Sequence, residues 1–441
     1  MKKASHIFEV MKEYLHSKEF LGQCKRDPKH FLRLRRLPHT TLFLLILNLL
    51  KESIPKELNS FCKICKTNTT TRAAITKARA KLNPSAFISM NDLLIKEFYC
   101  DNDVKLFHGL IPLAVDGSTL ELPLNSPGIL EKYGCATNQT DRKIPMARIS
   151  QLYDVINGIS LDAILAPYET AERDLAILHI EKIKEMNIDI LSKIVIIFDR
   201  GYPSLPLIVY LLKNNIHFVM RSNKQFLKEV TEVLHSGKRD VVVNISISRA
   251  SSSAKVELKR LFPNLNMKEV ISFRVIIVTL KTGEEEILLT SLLDKKKYPH
   301  SIFCELYFKR WGIEESYKFH KVGLEIENFS GMTCHAVEQD FHATVLAANV
   351  RAILSLEAFE ELKQITNKKE KKYTYEINKN VSIDALKGEF VFVLFNPTAN
   401  IETFCSEIKK VMKKNLVPIR PGRNFERINK HGRRKYHMNL R

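Results

Sequence analysis

The sequence predicts an α/β protein: a mixed sheet flanked by helices, interrupted by a β-rich insertion, with helical regions at both ends. Three observations carry that class. From Leu106 to Met220, short apolar runs bounded by turn signals alternate with helical spacing, in the order strand, hairpin, helix, strand, helix, strand. Residues 221–298 break that order with further strand-like runs, while residues 1–105 and 335–415 carry helical patterns. At 441 residues the chain exceeds what one hydrophobic core usually encloses, roughly 250–300 residues, so several units are expected.

Residues 1–105 alternate apolar and basic positions, punctuated by Pro38, Pro55 and Pro84. Within them Pro55 to Lys66, a Thr-Asn-Thr-Thr-Thr turn and Arg72 to Leu82 resemble a helix-turn-helix, whose second helix carries Arg72, Lys77, Arg79 and Lys81. Such a helix suits a DNA groove, and a solvated basic face accounts for it equally well. Ile111 to Val115 reads as a strand ending in Asp116, and Ile194 to Phe198 as a fully apolar strand ending in Asp199. Ala147 to Val155 and Ile159 to Ala166 flank Asn157-Gly158, the dipeptide of a two-residue hairpin. Residues 169–187 and 203–214 have helical spacing, and Ile216 to Met220 is the next strand. The insertion contributes Val241 to Ser248, Ile271 to Leu280 and Glu285 to Leu293. One helix is expected over Ser301 to Gly323 and another over 335–364, followed by a charged connector, Asn367 to Lys372, and two shorter helical stretches. The last stretch, Ile419 to Arg441, holds eight Lys or Arg against Glu426 alone and reads as a basic arm for a phosphate backbone.

Lys and Arg number 69 against 49 Asp and Glu, a net charge of +20, which points to a polyanion and first to nucleic acid. A membrane span is excluded, because the longest apolar run, Leu42 to Leu50, contains Asn48 and falls short of about 18 residues. Glu9, Lys12 and Glu13 break the apolar stretch after Ile7 and Phe8, so no signal peptide is expected and the chain is assigned to the cytoplasm. Cys62 and Cys65 have zinc-like spacing but lack a second ligand pair, and are expected to be ordinary helix cysteines.

A carboxylate at a strand's carboxyl end lies where α/β sheets place their ligands, although a turn-initiating Asp gives the same pattern. On a regular helix Tyr307, Arg310, Glu314 and Lys321 project within about 60° of one another. A solvated face stitched by i,i+4 ion pairs would share that spacing. Trp311 falls to the other side and is expected to pack.

Tyr307-x2-Arg310-x3-Glu314-x6-Lys321 resembles the Y-x2-R-x3-E-x6-K signature of DDE transposases of bacterial insertion sequences, in the group typified by insertion sequence four. Asp116-Gly-Ser-Thr and Asp199-Arg200-Gly201-Tyr202 are similar to that group's two aspartate segments, and Ile326 to Gly331 to the motif after its catalytic helix. The resemblance implies an RNase H-like core in which Asp116, Asp199 and Glu314 form an acidic triad holding two Mg2+ or Mn2+ ions. Hard carboxylate oxygens suit such ions, and two of them support in-line phosphodiester displacement. It further implies that Tyr307, Arg310 and Lys321 hold the backbone of the transposon end, and that the chain works on double-stranded DNA as a homodimer in a synaptic complex; Arg200, beside Asp199, either assists them or forms a structural salt bridge. One departure concerns the insertion: Glu286 precedes Ile287-Leu288-Leu289-Thr290, where hairpin-forming relatives often place a Trp, which leaves the hairpin route open.

The expected layout is a DNA-binding region at 1–105, a catalytic core at 106–220 and 299–350, the insertion at 221–298, and a helical region with a basic tail at 351–441. Two other functions share these features: a catalytically inactive DNA-binding regulator of transposase ancestry, and a stand-alone RNase H-like nuclease. The intact triad and signature weigh against the regulator. The nuclease has no need of Tyr307, Arg310 and Lys321 beside Glu314.

Overall fold

The computed structural model describes residues 3–33, 36–48, 51–100, 103–124, 126–137, 143–188, 190–280, 283–366 and 374–419. The charged connector and the basic arm from Arg420 onward lie outside the described residues. Six helices come first: α1 (Lys3–Leu15), α2 (Lys18–Cys24), α3 (His39–Leu47), α4 (Ile54–Cys65), α5 (Arg72–Arg79) and α6 (Ser85–Tyr99). A sheet of nine strands follows: β1 (Ile111–Glu121), β2 (Cys135–Thr137), β3 (Lys143–Asp154), β4 (Ile159–Pro167), β5 (Ile194–Phe198), β6 (His217–Ser222), β7 (Asp240–Ser246), β8 (Val270–Thr279) and β9 (Glu285–Thr290). Between them run α7 (Pro127–Tyr133), α8 (Glu172–Glu185), α9 (Leu205–Lys213), α10 (Lys228–His235) and α11 (Ser252–Leu261). The chain continues with α12 (Ile302–Phe308), α13 (Trp311–Lys318), a π turn (Phe319–Gly323) and the long α14 (Cys334–Thr366). It then forms β10 (Thr374–Ile377), α15 (Lys379–Leu386), α16 (Glu389–Phe395), α17 (Ile401–Lys414) and β11 (Leu416–Ile419).

The order β4-β3-β1-β5-β6, with β4, β3 and β1 antiparallel and β1, β5 and β6 parallel, is that of an RNase H-like core. Alternation along a strand sends successive side chains to opposite faces. Leu113, Val115, Ile196 and Phe198 join the larger core, while Ala114, Val195 and Ile197 face α12, α13 and α14 on the other side. The sheet is thus covered on both faces, as buried parallel strands require. The insertion strands continue the same sheet, β6 pairing with β9, β9 with β8 and β8 with β7. Arg274 fixes them: its guanidinium is fully buried, forks onto Asp240 at 2.7 and 2.5 Å, and donates to the carbonyls of Leu292 and Tyr298.

The two helical ends share the larger core rather than lying apart. Phe8 packs edge-on against Phe390 at 5.1 Å, and the N–H of Ala4 donates to Glu357 at 2.6 Å. Among the described residues no helix is long and apolar enough to cross a membrane.

Several expectations change. The β3–β4 connection is a four-residue turn over 155–158 in which only Gly158, at φ 73°, is left-handed. Asp154 organises it, accepting from the N–H groups of Ile156 and Asn157 and from the hydroxyl of Tyr99. The insertion contains helices α10 and α11 as well as strands, and the C-terminal part contains three short helices and the β10–β11 ribbon rather than two helical stretches. Cys62 and Cys65 lie buried on α4, and burial raises the Cys65 thiol to about 12, so it is protonated.

Candidate active site

Asp116 does not end its strand. β1 runs on for five residues, because its antiparallel ladder with β3 extends from Leu113 opposite Asp154 to Glu121 opposite Met146. What ends at this point is the parallel neighbour: the β1–β5 register closes at Ala114 opposite Ile197. Asp116 and Asp199 each stand two residues further on, so both sit past the last parallel pair at the carboxyl edge of the sheet. Ala114 and Ile197 face the α12–α13 side, and by alternation Asp116 shares it. The N–H of Gly117 donates to Asp116 Oδ1 at 2.9 Å, and the N–H of Gly201 donates to Asp199 Oδ1 at 2.7 Å. A Cβ at position 201 would stand 3.2 Å from that oxygen, a reason for the Gly of Asp-Arg-Gly-Tyr.

The helix expected over 301–323 is broken twice. At 309–313 the backbone tightens, with Arg310, Gly312 and Ile313 each donating three residues back. At 319–323 it loosens into the π turn, where the N–H of Leu324 reaches back to the Phe319 carbonyl. The uniform stripe therefore does not hold, although its first three members stay together. Arg310 donates to Glu314 at 3.0 Å, stands 3.7 Å from Asp116 and lies 5.9 Å from the centre of the Tyr307 ring. Lys321 lies in the π turn, and the acid acting on it is Glu327.

The guanidinium of Arg310 is thus the cation between Asp116 and Glu314. Burial raises the Asp116 carboxyl to about 6, and the charges of Asp199 and Glu172 add to that effect, outweighing Gly117 N–H and Arg310. Burial likewise raises the Tyr307 phenol to about 12, so it remains a donor at neutral pH. Three buried polar atoms around these groups lack hydrogen-bond partners: Arg310 Nε, Gln151 Nε2 and Tyr202 Oη. Gln151 pairs in register with Asp116, and the carboxylates acting on Tyr202 are those of Glu172, Asp116 and Asp199. Unpaired buried donors cost roughly 1–3 kcal/mol each, which marks this edge as built for something besides stability. The donor chemistry fits a hard divalent cation. Among the described residues, however, no three Asp, Glu, His or Cys side chains are arranged to hold one, and the positive charge at the site is Arg310.

Other residues singled out in the sequence fall elsewhere. Arg200 is exposed beside Asp199. On α5, Arg72 and Lys77 are exposed and Lys81 follows half-buried. Arg79, expected to contact DNA with them, is only 6% exposed and is spent inside the fold. It donates to Gln339 and Ser330 at 2.6 Å, to the Ala336 carbonyl at 2.9 Å and to Asp340 at 2.6 Å. It thereby ties α5 to α14 and to the Ser330-Gly331 segment. Trp311, expected to pack, is 46% exposed, with the Arg310 guanidinium 5.2 Å from its ring. Glu286 is buried, paired with Arg221 at 2.9 Å, and its charge reaches Tyr307.

Sequence reasoning missed Tyr317, whose hydroxyl donates to the Asp116 carbonyl at 2.6 Å, although it stands three residues after Glu314. It missed Gln151, Ser150 and Glu172, which no local pattern marks. Glu172 reaches β1 because position 117 is Gly: a Cβ there would collide with its carboxylate.

Residues 108–350 match the family described as Transposase DDE domain, and the chain belongs to that family. Among curated proteins it is similar to the putative transposase InsZ of Escherichia coli (strain K12), 26% identical over 175 residues, 38% of this chain. The chain spans about half of that relative's length, 54%. Among solved structures it is similar to the piggyBac transposase in a synaptic complex with hairpin DNA, with a TM-score of 0.47, 11% identity, and coverage of 92% of this chain and 85% of that one.

Proposed function

We propose that this protein is a DNA transposase that binds the ends of its element and cuts and joins strands, with Asp116, Asp199 and Glu314 as its acidic triad. The observation that carries this function is the gathering of residues from three distant stretches at one sheet edge. Asp116 and Asp199 stand past the last parallel pair, and Arg310 bridges Asp116 to Glu314, all within the segment that matches the DDE domain. Mg2+ or Mn2+, held as two ions by Asp116, Asp199 and Glu314, would supply activation of a water or 3′-hydroxyl and stabilisation of the leaving oxygen.

The chain's own groups do the rest. Arg310 exchanges its carboxylate partners for a backbone phosphate, which its planar fork grips in a defined orientation. Tyr307, protonated, donates to a phosphate oxygen, while Lys321 and Arg200 add positive charge along the bound strand. Arg72, Lys77 and Lys81 of α5, within the N-terminal region 1–105, meet the duplex, and the arm after Ile419 adds phosphate contacts. Two ends require two copies, so the working unit is a homodimer in a synaptic complex, acting in the bacterial cytoplasm on the nucleoid.

Incubating the protein with Mg2+ and duplex DNA taken from the boundaries of its own gene tests this function. Strand cleavage at a fixed end, stopped by a chelator while end binding persists, is the expected result; end binding with no cleavage under any divalent ion would contradict it. That second outcome is what an inactive regulator of transposase ancestry predicts. What favours it is that, among the described residues, Arg310 rather than a cluster of three carboxylates stands between Asp116 and Glu314.

A further inference from the structure

On the opposite face of the sheet from α13, three side chains that the proposed chemistry does not use form a continuous polar chain. His179 on α8 places Nδ1 2.6 Å from Asp162 on β4 and Nε2 2.9 Å from the hydroxyl of Ser150 on β3. Ser150 Oγ in turn lies 3.3 Å from the backbone carbonyl of Asp116, the same oxygen that accepts the Tyr317 hydroxyl. A Ser, His and Asp in this order have the geometry of a hydrolase triad. Ser150 and His179 are both 0% exposed, so no substrate reaches them and hydrolysis is excluded.

We propose that Asp162, His179 and Ser150 are positioning residues that hold the backbone at Asp116, and through it the direction of the Asp116 carboxylate. Hydrogen-bond accounting supports this. A carbonyl only accepts, so the single hydroxyl hydrogen of Ser150 goes to Asp116 O. With that direction His179 Nε2 donates to Ser150 and Nδ1 to Asp162; a neutral imidazole carries a single N–H, so this arrangement is that of the doubly protonated ring facing the Asp162 carboxylate. The charges around Asp162 agree: burial raises its carboxyl, but His179, Lys182 and His342 outweigh burial and hold it below its ordinary value. Asp116 needs such a restraint. It is followed by Gly117, whose backbone is the least restricted of any residue, and β1 has lost its β5 neighbour at this point. Two side-chain donors, from β3 and from α13, hold its carbonyl.

This inference rests on Asp116 being catalytic, and the experiment keeps the two apart. Cleavage rate at saturating DNA, end-binding affinity and melting temperature are measured for Ser150→Ala, His179→Leu, their double variant, Ser150→Thr, His179→Gln and Asp116→Asn. Outer residues of this kind typically contribute about 10–100-fold to activity. Ser150→Ala and His179→Leu should each lose that much in rate with end affinity unchanged. The double variant should lose no more than Ser150→Ala, because the two act in series. Ser150→Thr, which keeps a hydroxyl, and His179→Gln, which keeps an N–H toward Ser150, should restore most of the rate. Full activity of Ser150→Ala beside an inactive Asp116→Asn overturns the relay alone. Cleavage by Asp116→Asn overturns the relay and the catalytic role together. Losses that follow only the melting temperature, without rescue by Thr or Gln, reduce the chain to a packing feature and also overturn it.

Discussion

Arg79 and Arg310 are both buried arginines beside carboxylates, 6% and 8% exposed, and they are built in opposite ways. Arg79 has a partner for each guanidinium nitrogen and touches Gln339, Ser330, Ala336 and Asp340 at 2.6–2.9 Å. Arg310 makes one short contact, to Glu314, one long one, to Asp116 at 3.7 Å, and leaves Nε without a partner. A fully paired buried ion network holds elements together, whereas a half-paired one retains capacity for another ligand. The first arginine belongs to the architecture, and the second is the one we propose for the chemistry.

The sharpest break of this contrast is to remove each in turn. Arg79→Ala leaves Asp340 buried without its cation and should destabilise the fold by about 3–5 kcal/mol, read by denaturant unfolding. Arg310→Ala should change stability by less than about 1 kcal/mol, since Glu314 is a third exposed, yet lower cleavage at least about 100-fold. Comparable stability losses in the two variants would erase the distinction.

A second test concerns the acid beside Arg310. In the fold the Asp116 carboxyl sits at about 6 against an ordinary 3.8, so ionising it works against folding. That penalty is absent below pH 3.8, grows as pH rises, and is complete above about 6, where it reaches roughly 3 kcal/mol. In divalent-free buffer at pH 8, Asp116→Asn should therefore raise the melting temperature, and the gain should vanish near pH 4. A lowered melting temperature at pH 8 would show that Asp116 supports the fold as an anion.

The contrast between the two arginines also measures how much was legible. Ile194–Phe198 was read to the residue because a strand buried on both faces must be apolar throughout. The far half of β1 was invisible, since Asp116 to Thr119 lie at an edge where polar residues suffice. The breaks around Arg310 carry no proline, and the π turn shows only once Lys321 departs from its expected stripe. Arg79 looked like its neighbours Arg72 and Lys77 because a basic helix does not declare which cation faces inward. Only Ile75, four residues before Arg79 and buried with it, hints at the inner side. The proposed triad rests on a motif visible in the sequence, while Ser150, His179 and Asp162 have no motif and come together only through the β3–β4 pairing and α8.

The smallest expected effect concerns the basic arm. Deleting residues 420–441 should leave cleavage chemistry intact and flatten the salt dependence of DNA binding, by roughly 0.9 in slope for each tail charge that touches phosphate. An unchanged slope would remove the arm from the DNA interface.

The most direct measurement compares Asp116→Asn, Asp199→Asn and Glu314→Gln in a Mg2+-dependent end-cleavage assay run beside a mobility-shift assay. Each variant should bind ends with nearly the parental affinity and cut none of them. Full cutting by any one of the three would contradict the shared site.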